Sequence, residues 1–319
     1  MKNNNLVVLA GNSNRELVKE ICAYLKIHEG KALVSRFPEG EIHVQIKQNI
    51  RGRDVFIIQS TCTPPNENLM ELLVLIDAAR RASASRITAV LPFFGYARQD
   101  RKDRPRVPIT AKLVANLITV AGANRVLAMD LHAGQIQGFF DIPVDHLYSI
   151  NVLGNYFHRR KLRNLVVVSP DVGGLKMARA YAKVLNVSLA IVDKRRENEQ
   201  LTQVMHIIGS VKNRNVLLVD DLISTGGSIV EAAQALKKAG ALEVYAAVVH
   251  PVLADPAVQR IRKSEIKELV VTNSIPIPKE RRISKIRVLS VAHLLAQAIE
   301  RIHEDQSVSS LFARAGVEA

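Results

Sequence analysis

The sequence predicts an α/β protein of two domains, each a mainly parallel sheet covered by helices. Short apolar runs alternate with longer amphipathic stretches along the chain, the order that places parallel strands beneath crossover helices. A length of 319 residues is natural for two cores. An arrangement of strand, acidic residue and glycine-bearing loop occurs near 125–138 and again at 216–228, pointing to two similar halves although their identity is too slight for a repeat.

Taken in order, residues 6–10 read as a strand and 14–26 as a helix capped by Ser13. Residues 41–47 alternate like a half-exposed strand, and Arg36-Phe37-Pro38-Glu39-Gly40-Glu41 lies just before it. A strand at 54–59, a Leu-, Met- and Ala-rich helix at 66–82 and a strand at 86–91 follow. The last strand ends at Pro92 and opens into 93–106, too polar and charged for a core element and placed where loops carry function. A helix at 110–121 and a strand at 125–129 lead to Asp130-Leu131-His132. A second series starts at Ser149, so a domain junction is expected near 148. It comprises a helix to about Lys161, a strand at 165–169, the turn Pro170-Asp171-Val172-Gly173-Gly174, a helix to Leu185 and a strand at 188–192. Asp193-Lys194-Arg195-Arg196 then begins a polar loop. Beyond the strand at 216–219 come a helix stopped by a left-handed Gly240, a strand at 244–250, a helix near 255–263, strands at 269–272 and 286–289, a helix from about Val291 and a tail from Ser307.

Composition excludes several classes of protein. Hydrophobic residues at 48% and charged residues at 23% describe an ordinary globular chain, and no apolar run approaches a membrane span. The start shows no signal-peptide core, so the cytoplasm is expected. The formal net charge of +14 invites nucleic acid as a partner, but there is no Trp, aromatic content is 4%, and no recognition helix, zinc finger or RNP-like segment accompanies the charge. Small polyanions fit better. Cys22 and Cys62 have no partners at metal-site spacing and read as packing or surface thiols.

The most informative stretch is Val219-Asp220-Asp221-Leu222-Ile223-Ser224-Thr225-Gly226-Gly227-Ser228. It reads as a strand end followed by a loop that opens a helix. Unpaired N–H groups and the helix dipole favour an anion there, and the two glycines let the backbone close around it. Asp220 and Asp221 would repel a phosphate in contact, so they are assigned to sugar hydroxyls or to a cation beside the phosphate. A phosphorylated sugar satisfies both halves. The loop matches neither the P-loop nor the dinucleotide pattern.

It resembles the ribose 5-phosphate loop of phosphoribosyltransferases and ribose-phosphate diphosphokinases. Longer motifs resemble the second family over nearly the whole chain: Gly95-Tyr96-Ala97-Arg98-Gln99-Asp100-Arg101, Asp130-Leu131-His132-Ala133, 135–145, Ser169-Pro170-Asp171-Val172-Gly173-Gly174 and Asp193-Lys194-Arg195-Arg196. The resemblance implies two phosphoribosyltransferase-like domains, 1–148 and 149–302, with about 303–319 returning to the first. It implies hexamers built from dimers with active sites shared across subunits, and transfer of a diphosphoryl group from ATP to ribose 5-phosphate with Mg²⁺.

The resemblance also assigns residues. Lys194 and Arg196 match the catalytic positions of a mobile loop, with Arg196 also at the sugar phosphate, although a Lys-Arg-Arg run alone is more often solvated surface. Phe37, Glu39, Gly40 and Glu41 fall where ATP is bound across an interface, although Phe37 alone is equally a core residue. Arg98, Gln99, Asp100, Arg101 and Lys102 complete the ATP positions. His132 and Asp171 match Mg²⁺ ligands, with Asp130 as ligand or support; a lone His is usually structural and a lone Asp usually a cap. Asp220, Asp221, Ser224, Thr225, Gly226, Gly227 and Ser228 hold ribose 5-phosphate. Arg51, Arg106, Ser307, Ser309 and Phe312 resemble parts of a phosphate and ADP regulatory site. The chain departs from the family in having Ser224 for Asp, Ser228 for Thr, Pro38-Glu39 for Ser followed by Asn or Asp, and Asn49 for Ser. A phosphoribosyltransferase and a non-catalytic partner subunit are the rival classes, the second implying interrupted metal or mobile-loop positions that are intact here.

Overall fold

The computed structural model describes residues 5–195 and 204–313. These fall into two compact units, one holding the chain up to Tyr148 with Ser274–Pro276 and Val291–Leu311, the other holding Ser149–Asn273 and Ile277–Ser290.

The first unit begins with β1 (Leu6–Ala10), α1 (Arg15–Leu25), the hairpin β2 (Ala32–Arg36) and β3 (Ile42–Ile46), β4 (Asp54–Ile58), α2 (Pro65–Arg81) and β5 (Arg86–Leu91). It continues with α3 (Thr110–Ala121), β6 (Arg125–Met129), a 3-10 turn at Gly134–Phe139 and β7 (Val144–Leu147). The main sheet runs β1-β4-β5-β6-β7, all parallel. Its strands β1 and β4 are buried at every position, as expected of parallel strands covered on both faces. Val7, Leu9, Val55 and Ile57 pack with α2 (Leu72, Leu75, Ile76) and α3 (Ala111, Val114, Ile118). The cap of α1 is Asn14, whose side chain accepts from Leu17 N, whereas the expected Ser13 bonds Gln59. Strands β2 and β7 were not predicted, because four or five partly polar residues carry too short a pattern.

In the second unit the order is α4 (Ile150–Arg160), β8 (Leu165–Ser169), α5 (Leu175–Leu185), β9 (Ser188–Arg195), β10 (Val204–Ile208), β11 (Asn215–Ile223) and α6 (Gly227–Lys238). Next come β12 (Val244–Pro251), α7 (Ala257–Lys263), β13 (Ile266–Thr272), a 3-10 turn at Lys279–Arg281 and β14 (Ile286–Leu289). The sheet runs β10-β9-β8-β11-β12-β13-β14, parallel except where β10 meets β9. Gly240, at φ +88°, stops α6 as its lack of a Cβ allows. No helix among the described residues is long and apolar enough to cross a membrane.

One boundary differs from the sequence expectation. The returning segment includes α8 (Ala292–His303) and α9 (Ser310–Ala313), and α8 packs on α1 in the first unit instead of belonging to the second domain. Periodicity shows that a helix has an apolar face but not which core will cover it. The end of α8 is fixed by charge. Arg86 at the start of β5 bonds Asp54 at 2.6 and 2.9 Å, Asp305 at 2.7 Å and the Ile302 carbonyl at 2.8 Å, and His303 Nδ1 lies 2.8 Å from Asp54. Asp54 is buried, so loss of Arg86 strands a carboxylate in a dry site. Arg86→Ala should destabilise the protein by about 2–4 kcal/mol, the partial exposure of the arginine and the nearby His303 softening the usual cost. Chemical denaturation measures it, and a loss below about 0.5 kcal/mol contradicts the role.

Candidate active site

The two units are built differently at the carboxyl ends of their strands. In the second sheet the chain leaves β8 toward β9 on one side and leaves β11 toward β12 on the other, so neighbouring strands β8 and β11 feed connections in opposite directions. Such a reversal leaves a crevice outside the strand ends. Asp171 follows β8 there, and Asp220 and Asp221 lie at the end of β11. The sequence expectation placed both carboxylates in a loop. They belong to the strand, because β12 extends the ladder to Ile223 after β8 has stopped pairing at Leu218.

The carboxylates crowd one another. Burial first, then the charge of Asp221 and its hydrogen bonding, then the charge of Asp171, push Asp220 up to about 8. Asp221 N donates to Asp220 Oδ1 at 2.9 Å. Asp171 Oδ1 accepts from Gly174 N at 2.9 Å in the turn before α5, whose start no side chain caps, and its second oxygen has no hydrogen-bond partner among the described residues. Beyond Ile223 the loop turns through Ser224, Thr225 and Gly226 at φ +73°, and α6 begins at Gly227. Glycine is required at 226 by the left-handed backbone. No side chain caps this helix end, which leaves its N–H groups for a ligand. Ser224 is half-buried, and Thr225 and Ser228 are exposed.

Lys194 also sits in a strand instead of a loop. The strand β9 runs to Arg195 because β10 pairs with it antiparallel, Met205 opposite Lys194. The Lys194 side chain and all of Arg196 lie outside the described residues.

In the first unit, Phe37 is 44% exposed on the tip of the β2–β3 hairpin, its ring 4.7 Å from His43. It is therefore not a core residue. Gly40, at φ +98°, closes the turn by donating to the Phe37 carbonyl at 2.9 Å, and Glu39 and Glu41 are exposed beside it. The loop after β5 holds Arg98, Gln99, Asp100, Arg101 and Lys102. Gln99 bonds the Thr110 hydroxyl, and Gln135 donates to Asp100 at 3.0 Å, tying the loop to the 3-10 turn after β6. Arg98, Arg101 and Lys102 are exposed and pair with no carboxylate among the described residues. After β6, Asp130 is buried in a left-handed conformation at φ +40°, and His132 is exposed. Arg51 and Arg106 are exposed, and no hydrogen bond or ion pair joins either to Ser307 or Ser309. The Phe312 side chain lies outside the described residues.

Sequence reasoning missed a polar cluster beneath the hairpin, in which Gln59 and Glu71 are buried and Asn12 is exposed. Glu71 accepts from Asn12 N at 2.5 Å, Asn12 Nδ2 at 2.9 Å and Gln59 Nε2 at 2.8 Å, while Asn12 Nδ2 also reaches the Val34 carbonyl at 3.2 Å. Nothing in the linear pattern marks these residues, which are scattered across three elements.

Two family models match the chain: the N-terminal domain of ribose phosphate pyrophosphokinase over residues 6–122, and the phosphoribosyl synthetase-associated domain over residues 199–313. A ribose-phosphate pyrophosphokinase of Bacillus caldolyticus is 56% identical over 307 residues, 96% of this chain and 98% of the relative. One of Corynebacterium ammoniagenes is 54% identical over 310 residues, 97% of this chain and 98% of the relative. The crystal structure of a phosphoribosylpyrophosphate synthetase from Mycobacterium smegmatis is similar with a TM-score of 0.90 and 42% identity, covering 95% of this chain and all of that one.

The raised Asp220 has a signed consequence. Its proton is held more tightly in the folded chain than at the ordinary 3.8, so its contribution is full below about pH 4 and is lost as pH rises through 8. Asp220→Asn removes this loss. The melting temperature of the variant minus that of the unliganded wild type should therefore grow from pH 5 to about pH 8 and level off above it, and a difference independent of pH contradicts the raised Asp220.

Proposed function

The chain belongs to the ribose-phosphate pyrophosphokinase family, and on that premise we propose which residues move the diphosphoryl group of ATP to the anomeric hydroxyl of ribose 5-phosphate. The products are AMP and 5-phospho-α-D-ribose 1-diphosphate, a precursor in nucleotide biosynthesis. The observation that supports the sugar half most is the glycine turn opening α6 directly after two strand-borne carboxylates. Ser224, Thr225, Gly226, Gly227 and Ser228 take the 5-phosphate with hydroxyl and N–H donors, and Asp220 and Asp221 accept from the ribose hydroxyls.

For the donor, Phe37 stacks on the adenine, with Glu39, Gly40 and Glu41 at its edge. An exposed ring on a hairpin tip suits a base better than a core. The same reading gives this turn to the ATP of a neighbouring copy in a hexamer. Arg98, Arg101 and Lys102, with Gln99 and Asp100, hold the triphosphate, as their lack of carboxylate partners supports.

Among the described residues, no three His, Cys, Asp or Glu side chains gather so as to hold a metal by themselves. That fits Mg²⁺, which is usually held by one or two carboxylates plus substrate phosphates. As candidate ligands we propose Asp171 in the second unit, whose second oxygen has no hydrogen-bond partner among the described residues, and His132 in the first, with Asp130 as ligand or support. Bound there, it would neutralise charge on the phosphoryl oxygens. The sugar loop fixes the acceptor so that the anomeric oxygen approaches the β-phosphorus in line. Lys194 and Arg196 then stabilise the charge that develops on the transferring group. The cytoplasm is the corresponding location.

Incubation with ATP and ribose 5-phosphate should release AMP, and Lys194→Ala should lower kcat by about 10²–10⁴ with little change in KM. A loss of less than threefold removes Lys194 from the mechanism. Phe37→Ala should raise KM for ATP about tenfold at unchanged KM for ribose 5-phosphate, the loss of one base–aromatic stack. Equal changes in both constants contradict the stacking role.

A further inference from the structure

The helix α7 lies against the glycine turn that precedes α6. A Cβ placed on Gly226 would stand 3.5 Å from the Cα of Ala257, which is fully buried at the start of α7. One turn on, Arg260 reaches back over the same turn. Its Nη1 donates to the Thr225 carbonyl at 3.1 Å, and a Cβ on Gly227 would meet that nitrogen at 3.3 Å. The other guanidinium donors, on Nε and Nη2, have no partner among the described residues, and no carboxylate pairs with Arg260. Glu231 faces the same glycine, its Oε1 lying 3.9 Å from that Cβ position.

This geometry meets a deficit in the site. The loop offers neutral donors from Ser224, Thr225 and Ser228, while Asp221 and Glu231 near it bring carboxylates and Asp220 holds its proton. A phosphate dianion brought there gains hydrogen bonds but meets net negative charge. A cation anchored at the turn reverses that balance, and a guanidinium can hold the loop with one N–H and a phosphate oxygen with others. We propose that Arg260 is a phosphate-binding residue, its guanidinium fastened to Thr225 and presenting its remaining N–H groups to the 5-phosphate of the sugar substrate. The proposal rests on the reading of residues 224–228 as the ribose 5-phosphate loop. It deepens that reading by naming the source of the positive charge, 32 positions beyond the end of the loop motif at Ser228 and on a different element.

Steady-state kinetics of Arg260→Gln test it. With one charge-assisted hydrogen bond lost, KM for ribose 5-phosphate should rise about 10- to 100-fold while KM for ATP stays within twofold and kcat within threefold. Arg260→Lys, which keeps the charge but not the fork, should fall between wild type and Arg260→Gln. An unchanged KM for ribose 5-phosphate in Arg260→Gln overturns the proposal, as does a parallel rise in both KM values or a loss confined to kcat, the mark of a merely structural role. Should Arg260→Gln melt early enough to confuse the assay, Arg260→Met, which keeps the apolar stem, decides by the same criteria. A wild-type protein that releases no AMP from ATP and ribose 5-phosphate would sink the site reading and the proposal together. An active wild type with an unaffected Arg260→Gln sinks the proposal alone.

Discussion

The constraint on which the rest of the site depends is the packing of Asp171, Asp220 and Asp221 at the ends of two adjacent strands. They sit there because strand order reverses between β8 and β11, leaving a crevice that neither neighbouring connection covers. Burial and, after it, like charges so placed disfavour ionisation, which is why Asp220 clings to a proton. The strain is local.

The sheet framework was legible because parallel strands buried on both faces have no choice but to be apolar. The runs at Leu6–Ala10 and Leu165–Ser169 are therefore legible to the residue. Strands with other partners were not. The strand β10 escapes because it sits at an edge, and β9 and β11 read short because charged residues, Asp193 to Arg195 and Asp220-Asp221, interrupt their apolar runs. A ladder continues as long as a partner offers backbone groups, whatever the side chains say. The cap of α1 shows the same limit at smaller scale. Ser13 and Asn14 are both good caps, and the choice fell to Asn14 because Gln59, 46 positions from Ser13, claims the serine.

Within the site, the glycine turn was legible because a hydroxyl-and-glycine run at a strand-to-helix junction has few other uses. Arg260 was not. It stands in a run, Arg260-Ile261-Arg262-Lys263, that resembles any solvated basic surface, and only the packing of Ala257 under Gly226 turns one of its members toward the loop. The Asn12–Gln59–Glu71 cluster was illegible for a related reason. Its members are ordinary polar residues, and the burial of Gln59 and Glu71 arises from segments distant in sequence converging in space.

The β2–β3 hairpin forms a sheet of its own, separate from the five-stranded sheet of its unit. Ala32, Val34, Val44 and Ile46 rest on the core, and Asn12 and the Arg36–Glu67 pair pin its flank, while its tip at Phe37-Pro38-Glu39-Gly40 touches little else. Substitutions at the tip therefore leave the packing of the fold undisturbed. The hairpin behaves as an interchangeable cassette, its exposed tip open to change at almost no expense to the core beneath it.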